Sequence, residues 1–187
     1  MDRPGTAPLT LAEVRRRLRI DRERLVDCLR RRGAPTGVAL SPAWIAVRLH
    51  RYSRFFYARG WTVIARLLWQ ANLWLTGADI SPSSDIGEGL VVLHPFGVTV
   101  TGAAGRNLTI EGLGGLGSAM SLEDIGAGPG VPVLGNDVYI DRNAMVLGPV
   151  RVGDGARIGP GCSIVRDLEA GAVVTLPQAR VRRGDRA

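Results

Sequence analysis

Branched aliphatic residues recur every six positions along the last third of the chain, and a small, mostly apolar residue follows each of them four positions later. The first set comprises Leu134, Ile140, Val146, Val152, Ile158 and Ile164, and the second comprises Val138, Ala144, Val150, Ala156, Cys162 and Leu168. An aliphatic residue, a turn and a small inward residue describe one side of a triangular coil, so three hexads make a turn of about eighteen residues. The pattern therefore predicts a mainly β coil whose successive turns hydrogen-bond about 4.8 Å apart.

The same register occurs earlier in the chain and lapses once. The earlier aliphatic positions are Ile80, Ile86, Val92, Val98 and Ile110. Residues 115–132 are rich in glycine and lack the paired inward positions, although Leu116 and Leu122 keep phase. We expect an extruded loop near 115–133 rather than a degenerate coil, because glycine-rich insertions usually leave the coil surface and cover a site. Hexads of this type resemble those of the left-handed parallel β-helix acyltransferases, whose handedness departs from the usual right-handed crossover.

The residues before the repeats predict helices. Thr10 and Glu13 make a capping box at the start of an amphipathic stretch over 10–32, and a helical hairpin is predicted over 41–77. The predicted organisation is an N-terminal helical segment over 1–77, a β-helix domain over 78–176 and a basic C-terminal tail over 177–187.

A basic charge balance narrows the choice of ligand. The net charge is +7, which favours an anionic ligand or partner. Nine arginines lie within residues 10–32, but no nucleic-acid recognition signature accompanies them, so we favour a solvated or trimer-packing face over nucleic-acid binding.

The apolar helix that ends near Gly77 is too short to span a bilayer comfortably. We expect it to be buried against the β-helix or between subunits, while an interfacial helix stays an alternative.

The N-terminus and the cysteines predict the cellular compartment. The first residues contain no apolar core segment of a signal peptide, so we expect a cytoplasmic protein. Cys28 and Cys162 cannot build a disulfide framework, and we interpret both as reduced packing residues.

Only two histidines are available for chemistry, His50 and His94. This scarcity excludes the hexapeptide-repeat carbonic anhydrases, which need three histidine ligands, and we predict no metal site. His50 lies in the middle of a predicted helix, where a structural role is expected. His94 follows the inward Val92 by two residues, so its imidazole should project from a corner of the coil. Asp79 should lie on the adjacent turn, offset by three positions, where a carboxylate can hold one ring nitrogen and leave the other as a base.

Residues 45–101 resemble serine O-acetyltransferases. The similarity comprises the helix segment RLHRYSRFFYARG, the aspartate of GADISPSSDIG, the histidine of GLVVLHPFGVTV and the spacing between them. Farther on, the segment PVLGNDVYIDRNAMVLGPVRVGDGARIGPGCSIV is similar to the family's final coils, and LPQARV loosely to its closing segment. The resemblance covers about three quarters of the chain.

The resemblance implies direct acyl transfer from acetyl-CoA or another acyl-CoA to a hydroxyl group, in a homotrimer and without a metal. It implies that His94 is the general base, that Asp79 orients the imidazole and that the Gly115 backbone donates to the oxyanion. For the channel that holds CoA it implies Arg142, Arg157 and Pro160, where arginine suits the phosphates.

The sequence departs from the family where the acceptor binds. Leu93 stands where these enzymes have an aspartate, and Val131 stands where they have a histidine preceded by an arginine. Apolar side chains cannot make the charge-assisted hydrogen bonds that grip an amino acid. We therefore expect an acceptor other than, or larger than, free L-serine, such as a saccharide. The alternatives are a serine O-acetyltransferase proper and a non-catalytic trimeric scaffold.

Overall fold

The computed structural model describes residues 9–177, and the chain begins in it with three α-helices. Their bounds are α1 Leu11–Arg31, α2 Pro42–Ala58 and α3 Thr62–Thr76. Thr10 caps α1 by accepting a hydrogen bond from the Glu13 amide at 3.1 Å, and Ser41 caps α2 in the same manner. Gly77 ends α3 in the left-handed conformation, with φ of 74°, which glycine adopts without a steric penalty. The predicted helices are therefore confirmed. Thr10 makes its half of the predicted capping box, whereas the Glu13 carboxylate accepts hydrogen bonds from Arg16 and Arg17.

Short parallel strands follow the helices and wind into a coil. Their bounds are β1 Asp79–Ile80, β2 Asp85–Ile86, β3 Val91–Leu93, β4 Thr99–Val100, β5 Ala103–Ala104, β6 Thr109–Glu111, β7 Gly115–Gly117, β8 Val133–Leu134, β9 Tyr139–Ile140, β10 Met145–Leu147, β11 Arg151–Val152, β12 Arg157–Ile158, β13 Ser163–Ile164 and β14 Val173–Val174. The strands form three sheets: β1-β4-β7-β10-β13 on the first face, β2-β5-β8-β11 on the second and β3-β6-β9-β12-β14 on the third. This is the predicted left-handed parallel β-helix, with about five turns.

The six-residue pattern fills the interior of the coil. The aliphatic residues of this interior are almost fully excluded from solvent, as seen for Ile80, Ile110, Ile140 and Ile158. Their registered partners come from successive turns, so that Ile110 pairs with Ile140 and Ile140 with Ile158. Each interior position therefore stacks on a chemically similar one, and the repeat itself builds the core.

The glycine-rich segment over 115–132 forms one more strand before it leaves the coil. Strand β7 at the start of the lapse still pairs with β4 and β10, and Leu116 points inward. Residues 118–132 then run outside the coil between β7 and β8, and Leu122 is exposed. The expected loop is present, but it begins three residues later than the sequence indicates, because Leu116 still fills an interior position.

Buried ion pairs and hydrogen bonds join the helices to the coil. Asp21 on α1 and Arg51 on α2 form a buried pair, with Nε to Oδ2 at 2.8 Å. Asp21 also accepts bonds from the Gly89 and Leu90 amides, while Arg51 donates to two carbonyls of the coil. The carboxylate and the guanidinium thus make hydrogen bonds to each other. They also satisfy the backbone polar groups of the coil just before the third face begins.

Several of the α1 arginines make ion pairs or hydrogen bonds with the coil. Arg16 pairs with Glu88, and Arg17 donates to the Ile86 carbonyl. Arg24 donates to the carbonyls of Gly89 and Leu108. These contacts attach α1 to the coil within one chain, and the predicted solvated or trimer-packing face stays a prediction.

Helix α3 leaves much of its apolar surface uncovered in the single chain. Trp74 is 83% exposed and Trp61 57%, and Val63, Leu67 and Leu75 are exposed as well. Their expected burial against the β-helix is therefore wrong, because only one narrow side of α3, with Ala65, Asn72 and Thr76, faces the protein. The other predicted destination, a contact between subunits, stays a prediction.

The remaining sequence predictions about the fold concern the cysteines and the tail. Cys28 is half-buried and Cys162 is buried, and neither forms a disulfide. Most of the predicted tail over 177–187 lies outside the described residues, which end at 177. None of the helices within residues 9–177 is both long enough and apolar enough to cross a membrane.

Candidate active site

His94 lies at the corner between the third and first faces, immediately after β3. Five residues, 94–98, form this corner, whereas three residues, 112–114, form it one turn later. The His94 side chain is exposed, and its backbone φ of 53° is in the left-handed region. Such a conformation costs a residue other than glycine on the order of 1–3 kcal/mol and is concentrated at functional sites. The enlarged corner thus holds the imidazole outward, as the sequence predicts.

Asp79 begins the first face one turn below this corner. Its registered partner on β4 is Thr99, so the carboxylate is offset from His94 by five positions rather than the predicted three. The reason is the enlarged corner, which lengthens the turn between Asp79 and Thr99 to twenty residues. Asp79 Oδ1 accepts a hydrogen bond from Trp69 Nε1 of α3 at 2.7 Å. Among residues 9–177, no hydrogen bond or ion pair joins Asp79 directly to His94.

Glu111 is a second carboxylate close to His94, and sequence reasoning missed it. It ends β6 and is registered with Leu93, the residue before His94. The side chain is 5% exposed, and its Oε1 accepts a hydrogen bond from Arg32 Nη2 at 2.6 Å and from the Tyr139 hydroxyl at 2.7 Å. An eighteen-residue step from Leu93 points to Glu111, so the repeat contained a signal for it.

The surroundings of Glu111 keep its carboxyl group ionised. Burial by itself raises the pKa of Glu111, but hydrogen bonds from Tyr139 and Arg32 lower it, as do the positive charges of Arg32 and His94. The net pKa lies below its usual value. Burial and the bond to Glu111 raise the pKa of Tyr139 to about 12, so the hydroxyl retains its proton. A fixed negative charge therefore stands beside His94.

Gly115 begins β7 on the same ladder as Asp79 and Thr99. A Cβ atom here would collide with the Thr99 carbonyl oxygen, which explains why the position is glycine. The Gly115 N–H donates to the Ala144 carbonyl at 2.9 Å, so the amide hydrogen is already used in a hydrogen bond between turns of the coil. The oxyanion role of Gly115 stays a prediction, and it requires that this bond open.

The residues predicted to hold CoA separate into two groups. Arg142 and Pro160 lie on the corner that contains His94, in later turns, and Gly161 donates from this corner to the Arg142 carbonyl at 3.0 Å. Arg157 instead begins β12 on the third face, where it is registered with Tyr139. It lines a cleft of about 410 Å³ between α1 and that face. The structure therefore aligns two of the three with His94 and places the third beside α1.

The two apolar departures from the family motif lie apart from each other. Leu93 is buried next to His94, whereas Val131 is buried at the end of the 118–132 loop. That loop leaves from the corner between the first and second faces. In one chain, therefore, the loop starts and ends at a different corner from His94.

The second histidine belongs to the helical core. His50 is buried in α2, and neither ring nitrogen has a hydrogen-bond partner among residues 9–177. Burial, together with the charges of Arg51, Arg54 and Arg17, lowers the pKa of His50 well below its usual value. Within the part of the chain that the structure describes, no group of three or more His, Cys, Asp or Glu side chains could hold a metal ion.

Comparisons with known proteins identify close relatives. The family model described as bacterial transferase hexapeptide (six repeats) matches residues 132–166. A serine acetyltransferase of Helicobacter pylori is 34% identical over 152 residues, which are 79% of this chain and 85% of that protein. One from Synechococcus elongatus is 32% identical over 145 residues, 75% of this chain, but the match spans only 57% of its length. The crystal structure of Neisseria gonorrhoeae serine acetyltransferase superimposes with a TM-score of 0.79 at 25% identity, covering 95% of this chain and 70% of that one.

These relatives confirm the predicted acetyltransferase class and correct the predicted acceptor. The expectation of a saccharide or another acceptor larger than serine rested on Leu93 and Val131, and it is wrong, because the similar proteins are serine acetyltransferases. Apolar residues at two motif positions are weaker evidence about the acceptor than similarity to serine acetyltransferases over most of the chain. With 34% identity to a protein that it matches over 85% of its length, the chain belongs to the serine acetyltransferase family.

Proposed function

We propose that the chain is a serine O-acetyltransferase, which transfers the acetyl group of acetyl-CoA to the hydroxyl of L-serine. The observation that carries this proposal is the similarity to the Helicobacter pylori enzyme over 79% of the chain. The positions of His94 and Asp79 on adjacent turns support it.

In the first step His94 accepts the proton of the serine hydroxyl. The oxygen then attacks the thioester carbonyl carbon, and the carbonyl electron pair moves to its oxygen. General base catalysis of this type contributes roughly a hundredfold to ten-thousandfold. The exposed imidazole at the enlarged corner is accessible to both substrates.

In the second step the tetrahedral intermediate collapses. The carbon–sulfur bond breaks, the carbonyl re-forms, and the imidazolium of His94 gives its proton to the leaving thiolate. The products are O-acetylserine and CoA, and His94 returns to its neutral state. The negative charge of Asp79 stabilises the transient imidazolium. The Trp69 indole N–H donates to one oxygen of the Asp79 carboxylate and holds it in place.

Acetyl-CoA is proposed to lie along the corner that begins at His94. Arg142 and Pro160 line later turns of this corner, and the arginine suits the phosphates of CoA. Arg157 lies on the neighbouring face, so a contact with CoA requires the cofactor to extend toward the α1 cleft.

We also propose that the protein is a homotrimer with the His94 corner at the contact between subunits. Phe96 is 74% exposed beside His94, and Leu113 is exposed one turn later. The exposed apolar side of α3 adds to this surface. Sedimentation analysis should give three times the mass of the chain, and a monomer at micromolar concentration would contradict the proposal.

The test of the activity is release of CoA thiol from acetyl-CoA in the presence of L-serine. We expect serine-dependent release, lowered roughly a hundredfold to ten-thousandfold in His94→Ala. Asp79→Asn should also lower the rate while the protein stays folded.

Asp85→Asn is the matched control for Asp79→Asn. Both aspartates begin a two-residue strand and precede an inward isoleucine, but Asp85 pairs with Arg54 at 3.5 Å, away from the His94 corner. We expect Asp85→Asn to retain the activity. If the wild type releases no CoA with serine, the proposal is overturned and the scaffold alternative gains support. If His94→Ala retains the full rate, the proposed role of His94 as the base is overturned.

A further inference from the structure

An amino acid acceptor needs two charged partners near His94. Its ammonium group requires a carboxylate and its carboxylate requires a cation, each held by charge-assisted hydrogen bonds. The motif positions expected to supply these groups are apolar here, Leu93 and Val131. Serine binding therefore needs another source of both charges.

Glu111 offers the negative charge at the right place. It is the neighbour of Leu93 on the next turn of the third face, so its backbone lies one strand spacing, about 4.8 Å, from that of the position where the aspartate is missing. Its Oε1 is occupied by Arg32 and Tyr139. Its Oε2 accepts no hydrogen bond from residues 9–177 and does not belong to the fully enclosed polar atoms.

Arg32 offers the positive charge beside it. Its Nη2 donates to Glu111 and to the Tyr139 hydroxyl. Its Nε and Nη1 make no hydrogen bond within the described part of the chain, and its side chain is 42% exposed. The planar guanidinium therefore has one edge fixed by Glu111 and another available to a ligand carboxylate.

We infer that Glu111 and Arg32 bind the acceptor amino acid, with Glu111 Oε2 accepting from the ammonium group and Arg32 donating to the carboxylate. This assignment rests on the proposed function and identifies residues that determine its specificity. The two charges lie side by side because Arg32, directly after α1, reaches Glu111 on the third face. An α-amino acid presents its own two charges at a similarly short separation, so the pair complements a zwitterion rather than a saccharide.

A purely structural role for the pair makes a different prediction. If Glu111 and Arg32 only attach α1 to the coil, their loss lowers stability and the amount of folded enzyme. It then changes the rates for all acceptors by the same factor. A role in recognition changes the ratio of rates between acceptors, and this ratio does not depend on the folded fraction of a preparation.

The experiment compares three acceptors by CoA release: L-serine, 3-hydroxypropanoate, which lacks the ammonium group, and ethanolamine, which lacks the carboxylate. For Glu111→Gln we expect the KM for serine to rise roughly ten- to hundredfold, because a charged hydrogen bond is lost. The KM for acetyl-CoA should stay constant. The preference for serine over 3-hydroxypropanoate should fall by a similar factor.

Arg32→Gln should reduce the preference for serine over ethanolamine, whereas Arg32→Lys should restore part of it. Arg30→Gln is the matched control on α1, because Arg30 is 69% exposed and pairs with Asp27 at 3.9 Å. We expect it to leave both preferences unchanged.

The outcomes separate the inference from the function on which it rests. If the wild type acetylates serine but both variants retain its acceptor preferences, the inference is overturned and the proposed function stands. If the wild type shows no serine-dependent release, both are overturned. A selective change of each preference by its own variant supports both.

Discussion

The coil and the helical segment bury their side chains in different ways. The coil interior is a stack of aliphatic residues in register, such as Ile110, Ile140 and Ile158. Most of the buried polar and charged residues belong instead to the helices: Asp21, His50, Arg51, Ser53, Asn72 and Thr76. A repeating chain obtains its core by repetition, whereas the helices depend on individual polar partners. Single substitutions should therefore be tolerated differently in the two regions.

The largest effect is expected at the buried pair between α1 and α2. Asp21→Ala leaves the buried Arg51 and two coil amides without their carboxylate, so we expect a loss of about 3–5 kcal/mol in the free energy of unfolding. Urea unfolding at fixed protein concentration measures it.

Asp27→Ala on the same helix is the control. Asp27 pairs with Arg31, whose side chain is 79% exposed, and exposed pairs of this kind contribute about 0–1 kcal/mol. Equal losses in the two variants would show that burial does not distinguish the pairs.

A somewhat smaller effect is expected inside the coil. Ile140 is fully buried between turns, and Ile140→Ala should cost about 2–5 kcal/mol because it leaves a cavity. Ile140→Val should cost only about 0.5–1.5 kcal/mol. The two urea midpoints test the interpretation, and an Ile140→Ala loss below that of the valine variant would contradict tight packing.

Substitution of Gly115 tests how closely successive turns of the coil pack at the candidate site. A Cβ at this position would collide with the Thr99 carbonyl oxygen, so Gly115→Ala should cost about 1–3 kcal/mol through overpacking. Gly117→Ala is the control, because the nearest atom, in Leu147, would be 3.9 Å from its Cβ. Thermal unfolding of both variants gives the comparison, and equal stability would contradict the steric explanation.

The smallest effect concerns the pH dependence of the helical core. Since burial lowers the pKa of His50 in the fold, the unfolded chain takes up a proton below about pH 6.5 while the folded chain does not. The contribution of His50 to stability is therefore complete above that pH. It should fall by at most about 1.4 kcal/mol per pH unit as the pH decreases toward 5.

His50→Leu should remove this part of the slope in urea titrations between pH 7 and 5. Stability at pH 7 should be retained, because both ring nitrogens lack partners in the fold. An unchanged slope in the variant would show that His50 is not responsible.

Periodicity explains which parts of the site could be predicted. His94 and Asp79 were identified because they occupy defined positions in the hexads, whereas Gly115 was named only through the resemblance to serine acetyltransferases. The offset between His94 and Asp79 was wrong, since the repeat cannot indicate a corner with two additional residues. The sequence predicted burial of α3 against the β-helix or between subunits, and the structure excludes only the first, because an apolar helix does not specify which surface covers it.

The sequence by itself determined the left-handed coil, the helices with their caps and the histidine at a corner. These features depend on the local secondary-structure propensity of the residues and on a six-residue pattern that recurs in every turn of the coil. Only the tertiary structure decided that Arg32 and Glu111, 79 positions apart, meet beside His94. It likewise decided that the 118–132 loop leaves from another corner. Such contacts depend on how α1 crosses the third face and on the length of each corner, and neither is contained in a local pattern.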